Sequence, residues 1–321
     1  MKQQPIFILT ILLLWVGNSL ADISVEEVWQ LFERGEIARA ESLFTSLSEA
    51  ERQTPVYWIL KARLAASRFQ PEAAISILQK GLKEVGANAD LYFELGNAYS
   101  LNVAKVSVFK KMGIAKKMKG SWRRAIRLNP NHGRAMLSLA QYYLLAPGFA
   151  GGDADSAAIL LQQLARVNPK LSLMGRAIQA QKDKNVPLAR QLLKQVIQMD
   201  STYSPAYLSL AFTYRQEEMP DSALTVLDQL LSIEPQNPFA LNQKGQILLN
   251  KGKILAAREL FYLALKSDPY LVAAKFYLAQ TYEKQESYKK AGEIYRDIIT
   301  HYPKHPVTKQ AKRRLKKLPS K

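Results

Sequence analysis

Three histidines, His132, His301 and His305, and no cysteine are this chain's whole stock of near-neutral bases and soft nucleophiles. Nucleophile–base pairs and thiolate metal sites need more than that. His301 and His305 stand four apart, the spacing at which two imidazoles on one helical face take a metal ion. Pro303 lies between them and interrupts any helix there, so the pair reads as a surface turn. The run Pro147-Gly148-Phe149-Ala150-Gly151-Gly152-Asp153 is glycine-rich. It lacks the G-x-x-x-x-G-K-S/T order of a phosphate-cradling loop and follows no strand signal. It reads as an insertion loop that packs Phe149 on the scaffold, with Asp153 as the N-cap of the next helix and Ser156 nearby. No catalytic, metal or cofactor constellation emerges, and the expectation is a protein that is not an enzyme.

The remaining chemistry is charge. The net charge is +18, and it is concentrated. From Leu95 to Gly152 there is no acid, while Lys105, Lys110, Lys111, Lys116, Lys117, Lys119, Arg123, Arg124, Arg127 and Arg134 are basic. After Asp297 there is again no acid, and Lys304, Lys309, Lys312, Arg313, Arg314, Lys316, Lys317 and Lys321 follow. Such runs form either solvated helix faces or a docking surface for anions: acidic protein segments, anionic lipid or glycolipid headgroups, or polysaccharide. Nucleic acid is the default partner of a basic protein, but no aromatic-interleaved basic motif is present.

Residues 1–21 read as a secretory leader. Lys2 precedes an apolar run from Ile6 to Val16, and Ser19-Leu20-Ala21 supplies the small-residue cleavage pattern. An uncleaved anchor is the alternative, but the apolar core is short for a bilayer span. Cleavage after Ala21 leaves an exported, periplasmic chain, which argues against nucleic acid. No cysteine follows the cut to carry lipid, and none is available for disulfides.

What positions these groups is a repeat. From Ser204 to His305 three segments follow one another at a period of 34 residues. Ala211, Gly245 and Ala279 share one column, Tyr214, Leu248 and Tyr282 the next, and Ala223, Ala257 and Ala291 a third. Leu227, Phe261 and Tyr295 make a fourth, and Pro235, Pro269 and Pro303 close each unit. Small residues at two fixed slots let two helices approach closely, and a larger side chain would overpack the contact. The pattern resembles the tetratricopeptide repeat, W-x2-L-G-x2-Y…A-x3-F…P. Weaker copies extend backwards. Residues 22–88 hold two units, with Ala40 and Phe44 in the first, Trp58, Ala62, Ala74 and Leu78 in the second, and Gly35 ending a helix. Residues 89–169 hold two more, with insertions at 101–121 and 146–153, and 170–203 is a degenerate fifth. The first insertion is expected to lengthen a helix or add a short one, with Val106, Phe109 and Met112 or Gly113 facing the core. Tyr99, Tyr143, Tyr214 and Tyr282 are expected in the core. Residues 204–305 are the three regular units, and 306–321 a basic capping helix.

The resemblance implies an all-α solenoid of about eight helix–turn–helix units plus the cap, a right-handed superhelix whose first helices line the concave side. The functional expectation is a protein-binding scaffold. On the inward positions stand Leu208, Phe212, Arg215, Asn242, Gln246, Asn250, Phe276, Gln280 and Lys284. These amides and rings suit an extended peptide, whose backbone meets Asn and Gln while its apolar side chains meet Phe. The lysine–asparagine clamp that some members of the family use for a C-terminal carboxylate is not reproduced at these positions. A narrower resemblance rests on Ser107-x-Phe109-Lys110-Lys111-x-Gly113-x-Ala115-Lys116-Lys117 and Tyr142-Tyr143-Leu144-Leu145-Ala146-Pro147-Gly148-Phe149-Ala150-Gly151-Gly152. Both stretches look like those of exported bacterial tetratricopeptide proteins, a group with no assigned chemistry. Two functions stand side by side: a groove binding a protein partner, with basic segments favouring acidic ones, or a factor attached to anionic envelope lipid or glycan through its basic face.

Overall fold

The computed structural model describes residues 24–103 and 108–319. The leader, Lys105 and Val106 lie outside the described residues, as do the side chains of Phe109 and Lys110. Helices run in antiparallel pairs: α1 (Val25–Glu33) with α2 (Ile37–Phe44), α3 (Pro55–Ser67) with α4 (Pro71–Glu84), α5 (Ala89–Val103) with α6 (Val108–Leu128), and α7 (Gly133–Leu145) with α8 (Ala154–Val167). Then follow α9 (Pro169–Lys182) with α10 (Val186–Met199), α11 (Ser204–Gln216) with α12 (Pro220–Ile233), α13 (Pro238–Asn250) with α14 (Ile254–Ser267), and α15 (Val272–Lys284) with α16 (Tyr288–His301). A last helix, α17 (Pro306–Leu315), closes the stack. First helices of neighbouring pairs touch directly, α3 with α5, α7 with α9 and α13 with α15. Second helices pack mainly on their own partner and on the next first helix, so the first helices sit on the tighter, inner side of the solenoid.

Local chemistry sets these boundaries. Thr54, Asp153, Asn168, Asn185 and Asn237 cap helix starts with a side-chain oxygen that accepts a backbone amide. Proline stands in the first turn of eight of the helices. In six pairs the turn between helices has one residue in the left-handed region: Gly35, Phe69, Lys184, Glu218, Gly252 and Glu286. The amide after each reaches back five residues to a helical carbonyl: Glu36 to Leu31, Gln70 to Ala65, Asn185 to Ala180, Met219 to Tyr214, Lys253 to Leu248 and Ser287 to Tyr282. This bond satisfies an orphan carbonyl and reverses the chain. Pair four departs from it, with an extended Ala146 after α7, and carries the second insertion; the turn of pair three lies outside the described residues. In pair three the extra residues lengthen both helices, to 15 in α5 and 21 in α6.

Packing follows the small-residue columns. Ala211, Ala223, Ala257, Ala279 and Ala291 are fully buried, as are Phe261 and Tyr295 beside them. A Cβ on Gly96 would fall 2.3 Å from the Trp122 indole nitrogen, so this slot admits only hydrogen. Tyr99, Tyr143 and Tyr282 are buried as expected, and Tyr214 is half-buried against the core. Met112 departs from its expectation. It is exposed on α6, because the first turns of the long helix run past the reach of the core.

A feature with no trace in the repeat columns is that the coil returns to itself. The Gly35 turn packs on Pro238. The Tyr270 hydroxyl meets Glu41 Oε2 at 2.9 Å, Arg68 pairs with Glu41, and Phe69 stacks edge-on against His305 at 4.7 Å. The first two units therefore rest on the edge of the last three. Next to this contact Asp268 is buried, accepting the Tyr270 amide, and burial pushes its carboxyl up to about 6.

Two predictions follow from this geometry. Lys184→Gly and Glu286→Gly should each raise unfolding free energy by about 0.5 kcal/mol, since glycine takes the left-handed turn without a Cβ penalty. A lowered denaturation midpoint in either variant would contradict this. For Asp268 the folded-state value lies above the ordinary one, so its contribution is present at low pH and lost as pH rises through about 6. Asp268→Asn should therefore gain on the parent by on the order of 2 kcal/mol between pH 4 and pH 8, read by denaturant unfolding. A gap that stays constant with pH would show that the carboxyl does not titrate there.

Candidate functional site

The inner face of the last three units brings some of the expected groove residues together and buries others. Phe212, 47% exposed, lines a cleft of about 430 Å³ with Arg215, Asn250, Ile247 and Lys251. Arg215 Nη2 donates to Gln246 Oε1 at 3.1 Å, which holds the guanidinium along the face. Leu208 is half-buried against the core. Gln280 and Lys284 line a separate cleft, beside Glu283 and beneath Arg314 and Lys317 of the C-terminal segment. Asn242 and Phe276 are not groove residues, because both are buried. Phe276 turns between α15 and α16, its ring 5.8 Å from that of Tyr295. Asn242 lies one turn beyond Pro238, which the Gly35 turn of the first unit already covers.

A ladder of polar contacts runs along the first helices at the other end of the solenoid. Arg63 bridges Glu33 at 2.7 Å and Glu94 at 2.6 Å, and its guanidinium lies 4.2 Å from the Trp29 ring centre. Burial works against the Arg63 charge, but Glu94 and Glu33 outweigh it and leave the group more basic than an ordinary arginine. Arg134 approaches Glu94 from the next pair. Further along, Gln181 Nε2 donates to Thr213 Oγ1 at 2.8 Å. Sequence reading missed this ladder. Its signal was present as opposite charges about one repeat apart on successive first helices.

The second assembly joins α6, which carries the first insertion, to the loop of the second. The loop after α7 is tied down at several points. The Tyr142 hydroxyl donates to the Ala150 carbonyl, and the Asp153 amide to the Tyr143 carbonyl at 2.9 Å. Gly151 takes φ +91°, and a Cβ on Gly152 would overlap the Ala146 carbonyl oxygen. Asp153 caps α8 as expected, and its bonds to Ser156 hold its carboxyl below the usual range. From α6, Arg123 Nη2 donates to the Tyr143 hydroxyl at 2.5 Å, and Lys119 Nζ lies 5.5 Å from the Tyr142 ring centre. Between helix and loop lies a cleft of about 550 Å³, lined by Met112, Lys116, Lys119, Arg123, Tyr142 and Phe149. Phe149 does not pack on the scaffold. Its bracing holds the loop backbone outward, so the ring projects into solvent.

Of the residues expected to meet anions, Lys111, Lys116, Lys117, Arg123, Arg124 and Arg127 are exposed along α6, and Lys119 is half-buried under the loop. Among the described residues, none of these seven has a carboxylate within ion-pair reach. The histidines do structural work. His132 caps α7, accepting the Ala135 amide on Nδ1, and places Nε2 3.2 Å from Asp90. His301 turns back to Asp297 at 2.8 Å, while His305 caps α17, so the two do not converge.

Models of the tetratricopeptide repeat match residues 180–244, 240–270 and 273–305. Residues 180–305 are thus built of tetratricopeptide repeats. The human protein O-mannosyl-transferase TMTC3 is 26% identical over 251 residues, which are 77% of this chain and 26% of that protein. The TPR repeat-containing protein YpiA of Bacillus subtilis is 23% identical over 158 residues, 49% of this chain and 37% of that one. The chain therefore spans between a quarter and two fifths of these relatives, and the mannosyl transfer named for the human protein belongs to that protein. Among solved structures, yeast Tom70 superposes with a TM-score of 0.63 at 15% identity, covering 87% of this chain and 58% of that one. The Cut9–Hcn1 complex of the APC/C gives 0.53 at 12% identity, covering 92% and 55%. These likenesses establish an α-solenoid.

The ladder yields a prediction. Arg63→Met should destabilise the protein by about 2–3 kcal/mol, because it leaves Glu94 enclosed with only the more distant Arg134 as a charged partner. Adding Glu94→Gln should recover part of the loss in denaturant unfolding. No recovery would mean that Arg63 acts by packing on Trp29 rather than by charge.

Proposed function

We propose that this chain is an exported, non-catalytic tetratricopeptide scaffold that holds an extended, acidic segment of a partner protein on its inner face between α11 and α13. One observation carries the reading: Phe212, Arg215 and Asn250 converge on one open cleft, offering an apolar ring, a cation and an amide together. That set suits a peptide backbone with alternating apolar and acidic side chains. Arg314 and Lys317 extend the positive character to the second cleft at Gln280 and Lys284. Net positive charge speeds encounter with such a partner, and the ring and amide contacts then hold it. Export to the periplasm rests on the leader pattern of residues 1–21.

The test is affinity capture from envelope extract in about 0.5 M salt, where exposed charge alone holds little. The bait, recovered from the periplasmic fraction, should begin at Asp22. It should retain a discrete protein that a Phe212→Ala, Asn250→Ala variant loses. The same protein retained by both baits would remove the groove from the function, and a bait confined to the cytoplasm would remove the export.

A further inference from the structure

We propose that the edge formed by α6 and the 146–153 loop is a docking site for a bilayer of anionic phospholipid, separate from the inner groove and independent of that reading. The two insertions fall in neighbouring helix pairs, the third and the fourth. With 21 residues against 14 in the second helices of the other long pairs, α6 is about 10 Å longer than they are. The loop of the next pair leans on it. Lys119 lies under both Tyr142 and Tyr143, and the cleft is walled by α6 on one side and by Phe149 to Gly151 on the other. The two stretches that stand apart in the sequence make one built surface.

That surface has two properties that together suit an anionic membrane. Apolar side chains stand exposed: Phe149 at 82% and Met112 at 61% on the cleft itself, and Leu145 at 62% on the last turn of α7, which leads into the loop. The loop is braced in this position, since Gly152 has no room for a side chain and the Tyr142 hydroxyl holds the Ala150 carbonyl. Phe149 is thus presented rather than left over. Beside these residues stand Lys116, Lys117 and Arg123, in a stretch from Leu95 to Gly152 without a single acid, and the carboxylate that ends the loop, Asp153, is engaged by Ser156. At an anionic interface the ring and the aliphatic tips enter the acyl boundary, while ammonium and guanidinium groups stay at the phosphates. An acidic protein segment would account for the cations but would leave three apolar tips without a partner.

The experiment is vesicle co-sedimentation of the chain from Asp22, which contains all of the packed core. Vesicles of phosphatidylcholine alone are compared with vesicles holding about 30% phosphatidylglycerol, the anionic fraction that creates the attracting surface potential. The expected result is binding to the anionic vesicles only, weakened by salt. Phe149→Ser should lower the affinity about tenfold with an unchanged melting temperature, because this side chain packs on nothing. Lys116→Glu with Lys117→Glu should abolish binding, and Phe212→Ala should leave it intact. Equal binding to neutral vesicles, or full binding by Phe149→Ser, would overturn the proposal. So would capture of polyglutamate or an anionic polysaccharide by a chain that ignores both kinds of vesicle.

Discussion

Close approach of two helices at a slot that admits nothing larger than a methyl group is the constraint from which this molecule is built. Where Gly96 meets Trp122, even a methyl is too large. The same condition recurs at Ala211, Ala257, Ala279 and Ala291, all fully buried. Once the helices of a pair meet this closely, the bulky residues on either side, Phe261 and Tyr295 among them, have one place to go, against the next pair. Stacking then repeats at the period of the slots, and no single pair buries its own core. Curvature follows because first helices touch their neighbours directly while second helices are held apart. An inner face and an outer edge are consequences of that difference.

The regular fold was legible because the constraint is local and repeats. Five columns read at a fixed interval place the helices of the last three units, and glycine or a left-handed residue marks their turns. The site was less legible, for reasons that particular residues illustrate. Asn242 and Phe276 occupy the same column as Leu208, yet each is enclosed, Asn242 beside a turn from the opposite end of the chain and Phe276 under Tyr295. A column predicts direction from the helix axis; it does not report what else arrives there. The contact of Tyr270 with Glu41 spans 229 positions and comes from the pitch of the whole coil, which no single repeat encodes. Phe149 failed in the other sense. Hydrophobicity alone placed it inside, whereas backbone bracing by Tyr142 and the two glycines holds it out.

Departures from the repeat, more than the repeat itself, separate this chain from a generic scaffold. Six turns share one geometry, and the two adjoining pairs that hold the insertions carry the basic, apolar-tipped edge. The cleft at Phe212 is lined by α11, α13 and the turn into α12, the edge at Phe149 by α6, the end of α7 and its loop, so the two share no residue. A molecule of this kind can hold a protein on one side while resting on another surface with the other.

Site-specific photo-cross-linking in intact cells addresses that division most directly. A benzophenone amino acid is placed at Phe212 in one strain and at Phe149 in another, and the adducts are identified by mass spectrometry. Two separate faces predict a protein adduct at Phe212 and a phospholipid adduct at Phe149. The same protein cross-linked from both positions would show one continuous partner surface and contradict the division.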